Sequence, residues 1–105
     1  SKMREHHLEP DVISYSATIS ACGRGAEWQF ALILLAEMRS CRLEPEVITC
    51  NAAISACEKG EEWRLALVVL GEMQRDGPKP DTITYSSAAS ACEKGEEWQH
   101  ALDLL

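Results

Sequence analysis

Nowhere in the 105-residue chain does an apolar run approach the ~20 residues that a membrane-spanning helix needs. Stretches such as Leu65 to Leu70 are far too short, so no membrane span is expected. The opening Ser1-Lys2-Met3-Arg4 is polar and lacks the apolar core of a secretory leader. CxxC pairs at zinc-ligand spacing are also missing. The cysteines number five, an odd count without a leader, which argues against a disulfide framework. His6, His7 and His100 form no ligand set and read as surface residues. No nucleophile–base pair or carboxylate pair stands out, so the chain is not expected to be an enzyme. No cofactor, metal or small-molecule substrate is expected either. A surplus of positive charge is lacking too. Ten basic residues against 17 acidic ones give a net charge of −7, which counts against a nucleic-acid partner.

What the chain does have is one phrase spelled three times. Ser20-Ala21-Cys22 recurs as Ser55-Ala56-Cys57 and Ser90-Ala91-Cys92, Trp28 as Trp63 and Trp98, and Pro10 as Pro45 and Pro80. Each subtraction, such as 63 − 28 or 92 − 57, gives 35. A period of this size marks a repeat array, in which each unit stacks on its neighbours and presents a similar surface at regular spacing. The hydrophobic share of 46 % is ordinary for a folded protein and argues against disorder.

One period reads as two helices. Pro45 suits a connection, and from Val47 to about Lys59 the residues Cys50, Ile54 and Cys57 recur at helical spacing on one face. Gly60 is a natural stop. Glu61 and Glu62 then open a second helix at the positive end of its dipole. Its apolar stripe is Trp63, Ala66, Leu67, Leu70 and Met73, and Asp76-Gly77-Pro78-Lys79-Pro80 turns the chain. Two such helices cannot bury their apolar faces alone, so the next pair must complete the core. Ala17, Ala21, Ala52, Ala53, Ala56, Ala88, Ala89 and Ala91 allow close approach in that stack. Cys22, Cys57 and Cys92 read as small buried residues. Cys50 replaces the tyrosine of Tyr15 and Tyr85 in the core, and Cys41 is a candidate exposed thiol. The tryptophans admit a reading as base-stacking platforms, but each begins an apolar stripe and is assigned to the core.

The first helix of each pair has a second face. Ile48, Asn51, Ser55 and Lys59 lie at intervals of three, four and four; Ile13, Ser16, Ser20 and Arg24, and Ile83, Ser86, Ser90 and Lys94, match them. Each set carries a branched apolar residue, a small hydrogen-bonding residue, a serine and a base. This set suits one nucleotide. Ile13, Ile48 and Ile83 can wedge between bases. Ser16, Asn51 and Ser86 can meet the edge of an unpaired base. Arg24, Lys59 and Lys94 can each meet a phosphate. Most acids (Glu27, Glu37, Glu61, Glu62, Glu72, Glu96 and Glu97) fall with the second helices, on the other wall. The bland alternative is a solvated polar face.

The strings Val-Ile-Thr-Cys-Asn from Val47 and Thr-Ile-Thr-Tyr-Ser from Thr82, with the later Ile-Ser-Ala-Cys, Ala-Leu, Glu-Met and Pro-Asp, resemble the pentatricopeptide repeat. The near-duplicate segments Ser55 to Trp63 and Ser90 to Trp98 look like arrays from unicellular algae and other protists. The tetratricopeptide repeat is a poorer fit, with a period of 34 and a missing Trp-Leu-Gly signature. Residues 1–11 are then the tail of a preceding repeat, 12–46 and 47–81 full repeats, and 82–105 a truncated third.

The resemblance implies an all-α, right-handed solenoid of stacked antiparallel hairpins that binds single-stranded RNA, about one base per repeat, in the RNA metabolism of an organelle, mitochondrion or plastid. It implies that base choice lies with an early residue of the first helix and the residue ending the same repeat. Asn51 with Asp81 would favour uridine. Ser16 pairs with Glu46, which departs from the usual Asp or Asn, and a purine is the implied choice. Ser86 has no matching partner within the chain. Independently, Asp11 and Asp81 stand where a helix N-cap belongs. The rival expectation is an acidic scaffold that contacts protein subunits of a large assembly, since helical solenoids serve both roles.

Overall fold

A computed structural model of the chain describes residues 11–95. Residues 1–10 of the expected repeat tail (1–11), the expected second helix of the third repeat with Trp98, and the histidines lie outside the described residues. Within them are five helices and no strand: α1 (Val12–Arg24), α2 (Trp28–Ser40), α3 (Val47–Lys59), α4 (Trp63–Asp76) and α5 (Thr82–Lys94). The architecture is an all-α helical-repeat solenoid.

The first helix read from the spacing of Cys50, Ile54 and Cys57 forms as α3. Its partner starts at Trp63 rather than at Glu61. Glu61 takes a left-handed φ of 60°, and Glu62 is the residue before the first helical turn. Ala26 repeats this at φ 59° before α2. Gly60 ends α3 as its C-cap, as expected, with a φ of −86° rather than a left-handed one. Its role is spatial. A Cβ there would lie 2.3 Å from Cδ1 of Trp28, and one on Gly95 would lie 2.3 Å from Cδ1 of Trp63. Each half-buried indole therefore packs on the turn of the following hairpin, a wedge between units.

The links at 25–27 and 60–62 are too short for anything but a tight helical hairpin. α1 packs on α3 and α3 on α5, which forms an inner layer; α2 and α4 make the outer one. No Cα atom of α2 lies within 8 Å of one in α4. One continuous core runs between the layers, with Tyr15, Ile19, Met38, Ile54, Val69 and Met73 among its members. Full burial of each such side chain is worth about 1.5–3 kcal/mol. Ala53, Ala56, Ala88 and Ala91 are buried at helix contacts, whereas Ala17 and Ala21, on the first described helix, are exposed. Cys50, Cys57 and Cys92 are buried, and Cys22 and Cys41 are only half-buried. Burial pushes Cys50, despite the opposing charge of Arg39, and Cys57 up to about 11.

Candidate nucleic-acid interface

The inner face of the first helices is where the recurring set comes together. Ile13, Ile48 and Ile83 are 79 %, 68 % and 62 % exposed, one bare aliphatic side chain per hairpin. A branched residue costs helix propensity slightly and stabilises only when it packs. These three pack on little, so their role is not in the core.

The polar positions are tied to the following hairpin. Asp81 caps α5: its Oδ1 accepts from the backbone N–H of Thr84 at 2.9 Å, and the Thr84 hydroxyl accepts from the Asp81 N–H at 3.1 Å. Nδ2 of Asn51 donates to the same Asp81 oxygen at 3.2 Å. The Thr84 hydroxyl also lies in donating range of Oδ1 of Asn51 and Oδ1 of Asp81, and its single proton serves one of them at a time. These bonds hold the Asp81 carboxyl below the ordinary value of 3.8, the backbone N–H of Thr84 contributing most. Asp11 caps α1 through Ser14 N–H at 2.7 Å and is lowered by that bond in the same way.

One hairpin earlier the arrangement changes. Glu46 precedes α3 but makes no side-chain cap. Ser16 meets the Thr49 hydroxyl instead, at 2.6 Å. Asn51 and Asp81 are thus in direct contact, whereas Ser16 makes its hydrogen bond to Thr49. Burial is also uneven. Asn51 is only 9 % exposed, Ser16 is half-buried and Ser86 is exposed. Asn51 does not lie on the open face that its helical spacing suggests; its bonds to Asp81 and Thr84 draw it towards α5. Thr49 and Thr84 were missed as partners, although their 35-residue spacing was visible.

The three bases differ as well. Lys59 Nζ donates to the Gly23 carbonyl at 3.1 Å, Lys94 pairs with Glu58 at 3.1 Å, and Arg24 is exposed. Arg24, Ile48, Asn51, Lys59 and Ile83 line one open groove of about 290 Å³, with Ser20, Ser55 and Ser87 between them. The groove offers apolar side chains, hydroxyls, an amide and two cations, Arg24 and Lys59, each the last residue of its helix. Among the described residues no group of histidine, cysteine and carboxylate side chains is arranged to hold a metal. No described helix is long and apolar enough to cross a membrane.

Comparison with known proteins bears on the fold and the family. The family model described as "PPR repeat family" matches residues 45–94, and that described as "Pentatricopeptide repeat domain" matches residues 1–25. The crystal structure of the pentatricopeptide repeat protein PPR10 from maize superposes with a TM-score of 0.84 at 26 % identity. The match covers 98 % of this chain but 15 % of that one. No curated protein matches the chain. With two family models on separate stretches and one solenoid spanning nearly its whole length, the chain belongs to the pentatricopeptide repeat family.

Proposed function

We propose that the inner wall binds single-stranded RNA, about one base per hairpin, and that the chain serves RNA metabolism in an organelle. The observation that carries this is the row of exposed Ile13, Ile48 and Ile83 beside the Ser16, Asn51 and Ser86 positions. A bare aliphatic side chain between polar groups suits the flat face of an unstacked base with its edge against a hydrogen-bonding residue. The units are residues 12–46, 47–81 and the start of a third from 82. Asn51, its amide held by Asp81, gives the second unit a fixed donor–acceptor pattern suited to uridine. Ser16 and Thr49, two rotating hydroxyls, give the first a less defined one. Family membership supports the RNA class and the organellar setting.

The test is binding of short single-stranded RNAs that differ only at the base facing the second unit. Uridine is expected to bind best, and Asn51→Ala or Asp81→Ala to bring the four bases close to parity. If the chain retains no single-stranded RNA at low salt, the reading fails.

A second reading, a scaffold contacting protein subunits, draws on the opposite wall, where Phe30, Ile33 and Val68 are exposed on α2 and α4. Exposed apolar side chains that lie together mark interaction surfaces. Loss of protein association in Phe30→Ser with RNA binding intact would favour it.

A further inference from the structure

The three cations of the inner wall are not equally available. Arg24 makes no ion pair among the described residues. Lys59 rests on a neutral carbonyl, that of Gly23, and makes no ion pair among the described residues. Lys94 faces a carboxylate: Oε2 of Glu58 lies 3.1 Å from its Nζ and also accepts from the Ser90 hydroxyl at 2.8 Å. Glu58 is largely covered, with 19 % of its side chain exposed, against 48 % for Lys94.

The difference follows from a single position. Glu58 belongs to the place in the repeat that Gly23 occupies one unit earlier, since 58 − 23 is 35. At Gly23 a Cβ would come 2.8 Å from the main-chain oxygen of Ala52, so α1 and α3 meet too closely there for any side chain. Between α3 and α5 that place holds a glutamate, which reaches across to Ser90 and Lys94.

We propose that Glu58 is an electrostatic brake on the inner wall: it occupies Lys94 and holds the third unit's phosphate contact below the strength of the first two. This rests on the RNA reading of the same wall. A phosphate arriving at Lys94 must displace a carboxylate already hydrogen-bonded to Ser90, and it feels that carboxylate's repulsion. Exposed ion pairs are individually weak, so the brake grades binding and does not block it.

The test compares the chain with Glu58→Gln, which keeps an acceptor for Ser90 and removes the charge. Single-stranded RNA is expected to bind about two- to fivefold more tightly to the variant at low salt. The dependence of log affinity on log salt should steepen by about 0.7, one more phosphate engaged. In a Lys94→Gln background, Glu58→Gln should give little of this gain. Acetylation of Lys94, followed by mass spectrometry without RNA, should run faster in Glu58→Gln. Equal RNA affinities of the two chains would overturn the brake and leave the RNA reading standing. A full gain in the Lys94→Gln background would overturn it too, because general charge would then be the cause. RNA retained by neither chain would overturn the RNA reading and the brake with it, while the acetylation rates would still report the ion pair.

Discussion

Position 60 has no room for a methyl group. The indole of Trp28 fills the space a Cβ would take, and Gly60→Ala must push the ring or the turn aside. Overpacking of this kind costs about 1–3 kcal/mol. Gly71 is the contrasting case: it lies inside α4 with nothing within 4 Å of a would-be Cβ. Gly71→Ala is expected to stabilise by about 0.5–1 kcal/mol through restricted backbone freedom in the unfolded chain. Thermal unfolding of the two variants should therefore shift in opposite directions. A Gly60→Ala protein as stable as the parent would show that the tryptophan wedge is loose. Sequence periodicity exposed Trp28 and Gly60 as recurring residues, but not as partners. They are 32 positions apart in the chain, and no helical spacing relates them.

At the level of the element, the starts of the helices differ most. Asp11 and Asp81 cap α1 and α5, and Glu46 leaves α3 uncapped by a side chain. The Asp81 carboxyl titrates lower in the fold than its ordinary 3.8, because the charged form accepts from Thr84 and Asn51. A depressed acid contributes stability above its unfolded value and loses it as the pH falls through the folded one. The urea midpoint should thus drop as the pH is lowered below about 4, and drop less in Asp81→Asn. Identical acid slopes for the two proteins would exclude the linkage. The helices themselves were legible, since apolar spacing and proline punctuation place α3 to within a residue. The pairing of Asn51 with Asp81 came through family resemblance. Thr84, Thr49 and Glu58 stayed hidden as partners. What makes them matter is the register between one inner helix and the next, which a single strand of letters does not state.

Across the whole molecule, protection is graded. α3 lies between α1 and α5 and buries Thr49, Cys50, Asn51, Ala53, Ile54, Ala56 and Cys57; α1 buries only Tyr15, Ile19 and Gly23. In a stack held by nearest-neighbour contacts the central unit opens last. Hydrogen exchange is expected to find the slowest amides in α3 and faster ones in α1. Uniform rates would point to a single cooperative globule. The tryptophan joints add something further. Trp28 reaches forward to Gly60 and Trp63 to Gly95, always towards the later hairpin. A plug that faces one way and a socket that faces the other make the stack a vector. Turned end for end, it does not superpose on itself, so the wall offers a strand lying along it two inequivalent directions.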